Sequence, residues 1–390
     1  MNALKKVTQV AIAVSVAFSG SVLAEKVSFA NAIKNGDAKL TFRARYENVD
    51  QDNALENADA FTNRTRLSFS SASFGNWTFN VEMDNVAALA DDYNSKTNGL
   101  TQYSVVADPE GTDLNQANLA YSSEGLTTVI GRQRINLDGQ RFVGGVGWRQ
   151  NEQTYDAILV SKKFGDFDLA YAYVHNVNNI LDANIFGNHH VLHGGYQLNE
   201  DHSLGFTGVS LDADNAAAIG STTVGLDYKG KAGMASWNLA WATQSDDGDA
   251  AVDYQADYLL AELALNFKPV SVTVGYEVLG SDNGVKGFTT PLATLHKFQG
   301  FADMFLSTPD TGVQDTYVKL AGKVGSTKLA VIYHDFAADF GSANYGSEID
   351  LVANFKINDN YGFLAKYASY SSDDFAVDTN KLWLMLSANY

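Results

Sequence analysis

The stretch Val-Ser-Val-Thr-Val-Gly-Tyr-Glu-Val, residues 270–278, alternates large apolar side chains with small or polar ones. Successive side chains of a β-strand point to opposite faces, so this stretch has one apolar face and one polar face. The same alternation recurs at residues 77–84 and 328–334. The pattern predicts an all-β chain whose strands separate an apolar environment from a polar one.

Short turns and longer polar connections follow each other along the chain. Tight turn sequences occur near residues 75, 124, 165 and 232, while the longer polar connections cover 49–62, 87–112, 133–153, 177–188, 213–220, 245–253, 280–315, 337–345 and 372–379. About 18 alternating segments lie between these connections, so we expect about 16 to 18 strands. This rhythm predicts a closed antiparallel transmembrane β-barrel with short periplasmic turns and long external loops. A soluble β-sandwich shares the alternation but not the regular change between short and long connections.

The two ends of the chain support this interpretation. Lys5 and Lys6 precede an apolar stretch at 7–18 and small side chains near Ala24, the layout of a secretory signal peptide. We expect residues 1–24 to be removed during export through the periplasm, leaving a barrel over residues 25–390. At the other end, one apolar face finishes in an aromatic residue, as in outer-membrane proteins, and consists of Leu382, Leu384, Leu386, Ala388 and Tyr390. The expected location is the outer membrane of a Gram-negative bacterium.

Composition excludes several classes of function. The chain has 45 acidic and 27 basic residues, for a net charge of −18. Nucleic-acid binding needs a basic surface, so we expect no nucleic-acid partner. The chain has no cysteine, which leaves no disulfide, thiolate metal site or thiol nucleophile.

All eight arginines lie between positions 43 and 149. In the first predicted strand Arg43 and Arg45 alternate with apolar residues, and Arg64 and Arg66 do so in the second. Because a charge facing lipid is costly, these four side chains should converge on one patch of the inner wall. Two roles remain open: a solute-binding patch, or ion pairs that brace the wall. Carboxylates expected to face the patch across the water are Glu47, Glu82 and Asp84.

Residues 131–156 contain the most distinctive motifs: Gly131-Arg132-Gln133, Gln140-Arg141-Phe142 and Trp148-Arg149-Gln150-Asn151. On these motifs the chain resembles the alginate-export-type family of Gram-negative outer-membrane porins. The resemblance implies an 18-stranded barrel with a basic constriction, which in the namesake passes an anionic polysaccharide. This chain has no arginine beyond Arg149, and the opposite wall offers only lysines such as Lys319, Lys328 and Lys366.

The expected function is a porin, a passive channel for small hydrophilic solutes, including anionic or sugar-like ones. One alternative is export of an anionic polysaccharide of the alginate type. Another is an outer-membrane hydrolase, but no motif places a nucleophile beside a base, so we expect neither an enzyme nor a cofactor. Candidate pore-lining residues are Arg43, Arg45, Arg64, Arg66, Arg132, Arg134, Arg141, Arg149, Glu82 and Asp84.

Metal binding is expected only at the surface. His189 and His193 would lie about 13 Å apart on a strand, too far to share an ion, so no metal site is expected there. Acidic segments at 50–56 and 246–249 do not match an ordered calcium loop. We expect these loops to contact lipopolysaccharide and outer-membrane lipids, with divalent cations as bridges.

Overall fold

The computed structural model describes residues 28–247 and 252–390. The predicted signal peptide, residues 1–24, lies outside the described residues. Within the described ranges, no helix has the length and hydropathy that a membrane-spanning helix needs. One short helix, α1 (Phe29–Lys34), precedes the first strand, and Ser28 caps it by accepting from the backbone N–H of Asn31.

The rest of the described chain contains two short 3₁₀ helices, Ala217–Ile219 and Leu295–Lys297, and 18 strands joined by turns and loops. In chain order they are β1 (Asp37–Gln51), β2 (Ala58–Ser70), β3 (Trp77–Asp92), β4 (Gly111–Ser123), β5 (Leu126–Gln133), β6 (Thr154–Phe164), β7 (Phe167–Asn178), β8 (Asn184–Asn199), β9 (His202–Leu211), β10 (Ser221–Ala232), β11 (Ala235–Ser245), β12 (Gln255–Asn266), β13 (Val270–Leu279), β14 (Val313–Val324), β15 (Thr327–Ala337), β16 (Asn344–Lys356), β17 (Tyr361–Ser372) and β18 (Thr379–Asn389).

The strands close into a single barrel. Each strand pairs antiparallel with the next, and β18 pairs with β1 from Thr41↔Asn389 to Gln51↔Thr379. Closure leaves no strand edge with unpaired backbone groups, which the hydrocarbon of a bilayer could not hydrogen-bond. The predicted closed antiparallel barrel of about 18 strands is confirmed.

Burial is inverted relative to a soluble protein. Val274 on β13 and Leu386 on β18 are 49% and 47% exposed on the outer face, whereas Arg45 and Glu47 on β1 are each 1% exposed. The apolar face predicted for residues 270–278 therefore points outward. Such a distribution suits a barrel with lipid outside and a polar lumen, and it rules out the soluble sandwich.

Three external loops fold into the barrel: L2 (93–110), L3 (134–153) and L7 (280–312). Each buries apolar side chains against the inner wall, L2 against β1 and β2, L3 against β6 to β9, and L7 against β12 to β18. These loops cover apolar residues on the external half of the inner wall and so remove those residues from water. The loops therefore determine the shape of the lumen on its external side.

Candidate functional site

Four arginines form a continuous patch on the inner face of β1 and β2, which we call the arginine wall: Arg43, Arg45, Arg64 and Arg66. Arg43 pairs directly with Arg64 in the strand register, so the two strands bring their guanidinium groups together. Like charges this close repel each other, and the neighbouring carboxylates must compensate for them.

Glu152 of L3 is the central carboxylate at the arginine wall. Its Oε1 lies 2.6 Å from Arg66 and 3.5 Å from Arg64, and its other oxygen accepts from Arg134. Burial by itself raises the pKa of the Glu152 carboxyl, but Arg134 and Arg66 outweigh it and lower that pKa to about 2. Glu152 is therefore ionised and joins L3 to the wall over a wide pH range.

The other acids lie beside the arginines. Arg66 holds Asp84 through two hydrogen bonds of 2.6 and 2.5 Å, and Glu82 accepts from Arg134. Glu47 accepts from Arg149 at 2.9 Å. The expectation that Glu47, Glu82 and Asp84 face the arginines across the water is therefore wrong. Neighbouring strands place them on the same wall, where direct pairing offsets part of the cost of burying each charge.

L3 crosses the lumen. At the arginine wall, Arg43 donates to the carbonyl oxygen of Gly147 at 2.9 Å and to that of Arg149, and Arg45 donates to the carbonyl oxygen of Trp148. At the opposite side, Nε of Arg141 lies 2.9 Å from Oε1 of Glu277 on β13. The arginine wall thus supplies donors to three successive backbone carbonyls of L3.

L7 is held by hydrogen-bond acceptors on the facing wall. The backbone N–H groups of Phe301 and Ala302 donate to Asp350 at 3.2 Å and to Glu348 at 2.7 Å, both on β16. Gln299 donates to Glu277 at 2.5 Å. Guanidinium groups therefore donate to the carbonyls of L3, while carboxyl oxygens accept from the N–H groups of L7, so each wall suits the backbone atoms that it holds.

The two loops meet at His296 and Asp303 of L7. The ring of His296 stacks on Trp148 of L3 with 4.3 Å between centroids. Burial lowers the pKa of His296 to about 3, so its imidazole is neutral. Asp303 contacts Nδ1 of His296 at 2.7 Å, Nζ of Lys381 at 3.2 Å and Nη2 of Arg149 at 3.6 Å. This junction ties both loops to the seam where β18 meets β1.

Lys366 of β17 occupies an aromatic cage beneath this junction. Its ammonium lies 3.2 Å from the ring centroid of Phe301, 4.3 Å from that of Trp148 and 5.5 Å from that of Trp383. It also lies 2.7 Å from Nε2 of His296, which accepts its hydrogen bond when the Nδ1 proton points to Asp303. Sequence alternation indicates that Lys366 faces inward, but it carries no signal for the loop residues that surround it.

Replacing Lys366 by methionine should loosen the junction of L3 and L7. The variant keeps an apolar side chain of similar length but loses the cation–π contacts and the bond to His296, worth about 2 kcal/mol for a desolvated cation. We expect more frequent current fluctuations in single-channel recordings. Lys319→Met, which changes an inward-facing lysine outside this cage, is the control. Identical traces for both variants would show that the cage does not hold the loops.

Arg132 and Arg141 lie apart from the arginine wall. Arg132 binds Asp156 through bonds of 2.8 and 3.0 Å, and among the described residues it shares no carboxylate with the wall arginines. Its orientation could not be read from alternation because the chain is irregular at Gly131, where φ is +115°. A Cβ at Gly131 would lie 2.4 Å from the carbonyl oxygen of Ala117, so only glycine fits this irregular position.

The three histidines of β8 lie in different surroundings. His189 is buried, His190 contacts the hydroxyl of Tyr171 at 2.7 Å, and His193 lies 3.4 Å from Asp138. Within residues 28–247 and 252–390, no group of three or more His, Asp or Glu side chains is arranged to hold a metal ion.

Comparison with known proteins places the chain in a family. The family model described as alginate export matches residues 36–244, more than half of the chain. The barrel is similar to that of OpdO from Pseudomonas aeruginosa (TM-score 0.72, 17% identity, 92% of this chain and 98% of that chain). It is also similar to the outer membrane protein OpdK from Pseudomonas aeruginosa (TM-score 0.69, 15% identity, 92% of this chain and 99% of that chain). A third similar structure is OccAB4 from Acinetobacter baumannii (TM-score 0.68, 15% identity, 91% of this chain and 98% of that chain). No curated protein sequence matches significantly. The predicted resemblance is confirmed: this chain belongs to the alginate export family.

Proposed function

We propose that the chain is a passive outer-membrane channel for small hydrophilic solutes, with a preference for anionic or polyhydroxy ones. The observation that carries this proposal is a closed 18-stranded barrel whose polar lumen is narrowed by L3 at the arginine wall. A barrel of this size has room for an aqueous path. Its acidic external loops are proposed to contact lipopolysaccharide through divalent cations.

The charge balance at the arginine wall supports the anionic preference. In the described part of the chain, seven cations share six carboxylates there; the cations are Arg43, Arg45, Arg64, Arg66, Arg134, Arg149 and Lys381, with Glu47, Glu82, Asp84, Asp108, Glu152 and Asp303. Arg43 binds carbonyl and amide oxygens, and two nitrogens of Arg64 have no hydrogen-bond partner within the part of the chain that the structure describes. Charges at a constriction control selectivity more than net charge does.

Export of a polysaccharide is the alternative that the family description raises. A polymer would need one continuous wide passage, whereas L3 reaches from the arginine wall to Glu277 and meets L7 on the way. This arrangement favours small solutes. No enzymatic activity forms part of the proposal.

Purified protein in planar bilayers tests the proposal. We expect discrete conductance steps, and a reversal potential under a salt gradient that shows which ion sign the constriction prefers. Heat-modifiable migration in gels would verify that the recorded protein is folded. A folded barrel that never conducts, or one that hydrolyses esters without conducting, would contradict the channel function.

A further inference from the structure

A second site lies on the external side of the constriction. There L2, L3, L7 and the connection 179–183 enclose a cavity of about 480 Å³ together with the upper ends of β1 and β18. We call it the outer vestibule. None of the four arginines of the arginine wall lines it, although Arg149, which contacts Glu47 beside that wall, forms part of its floor.

The sides of the outer vestibule are apolar. They include Val105 of L2, Ile180 and Leu181 of the neighbouring connection, and Met304 and Leu306 of L7. Val105 and Leu306 are 36% and 48% exposed. Apolar side chains gathered around a cavity at a channel mouth indicate a surface that binds something less polar than water.

The floor of the outer vestibule carries positive charge. Among its lining residues, Lys96, Arg149 and Lys381 stand against Asp303. Behind them, Glu47 and Asp108 contact Arg149 and are shared with Arg45, so four cations stand against three carboxylates. Asp303 is already contacted by His296, Lys381 and Arg149, so its two oxygens are engaged. The side chains of Arg149 and Lys381 are nearly buried, where their attraction for an anion is screened less than at an open surface.

We infer that the outer vestibule binds small organic monoanions with an alkyl or aryl body, the carboxylate lying toward Arg149 and Lys381. This inference rests on the proposed channel function and narrows its solute class. A uronate carries the same charge, but its hydroxyl groups would lose water against apolar walls without gaining partners. Charge and apolar surface are therefore both required of the solute.

The test measures block of the ion current by solutes added on the external side of the wild-type protein. Within the series acetate, butyrate and hexanoate, each added methylene should tighten block by twofold or more, since a fully buried methylene is worth about fourfold. Glucuronate, which lacks the apolar body, and hexylammonium, which reverses the charge, should block weakly. Equal block by glucuronate and hexanoate, or stronger block by hexylammonium, would overturn the inference.

Variants locate the effect in the vestibule. Val105→Ser combined with Leu306→Ser should weaken hexanoate block severalfold while leaving the unblocked conductance unchanged, because both side chains are exposed and lie outside the constriction. Phe340→Ser, which changes an exposed apolar residue of the loop 338–343 outside the vestibule, is the matched control. If hexanoate blocks the current through the double variant and through the control equally, the vestibule is not the binding site. A conducting channel without carboxylate block refutes this inference alone, whereas a folded barrel without conductance refutes the proposed function.

Discussion

Replacing Arg43, Arg45, Arg64 and Arg66 together by alanine is expected to shift the reversal potential toward cation preference. The substitution leaves Glu47, Asp84 and Asp108 with fewer counter-charges beside the constriction. We expect a shift on the order of 10 mV or more, on a scale where ideal selectivity gives about 59 mV per tenfold gradient of a monovalent salt. The measurement is the zero-current potential in a planar bilayer.

Two further variants separate charge from loop anchoring. Changing the same four arginines to lysine keeps the positive charge but removes the planar, forked donors that hold the carbonyls of L3. This variant should keep the wild-type ion preference and show noisier currents. Arg132→Ala changes an arginine that binds Asp156 away from the wall, and it should leave the reversal potential unchanged. If the quadruple alanine variant keeps the wild-type ion preference, the arginines only brace the wall.

Replacing Glu152 by glutamine should destabilise the barrel by about 3 kcal/mol, the lower part of the range for breaking a buried ion pair. Glu152 compensates three arginines at once, and a neutral amide in its place would leave Arg64 without the carboxylate that lies 3.5 Å from it. Urea unfolding of the detergent-solubilised protein, followed by tryptophan fluorescence, measures the loss. Glu56→Gln, at an exposed position of the loop between β1 and β2, is the matched control.

The pH dependence gives this prediction a second readout. The pKa of Glu152 in the folded protein is about 2, below its ordinary value of 4.5. A lowered pKa means that the carboxylate stabilises the folded state fully above pH 4.5 and loses this contribution as the pH falls toward 2. The stability difference between wild type and Glu152→Gln should therefore be constant at neutral pH and shrink in this acidic window. A difference that does not change with acidification would show that the ionised carboxylate is not what stabilises the loop.

Hydrogen-bond donors on one wall and acceptors on the other explain how long polar loops can fold into a barrel. Arg43 and Arg45 donate to backbone carbonyls of L3, and Glu348 and Asp350 accept from backbone N–H groups of L7. A loop segment that enters the lumen must find partners for both kinds of group, because unpaired buried backbone groups are costly. Each wall supplies the partners that its loop lacks, so the constriction has a defined shape.

The sequence alone determined the barrel, its strand rhythm and the inward direction of Arg43, Arg45, Arg64 and Arg66. These features follow from alternation along single strands and from the order of turns, which are local properties. Only the tertiary structure decided that L3 crosses the lumen, that Arg141 reaches Glu277, and that Lys366 lies among aromatic residues of L3 and L7. The hydrogen bond from Arg43 to Gly147 joins residues 104 positions apart, and that from Lys366 to His296 joins residues 70 apart. Such contacts depend on closure of the barrel, which brings distant segments into one lumen, and no periodicity of a single strand encodes them.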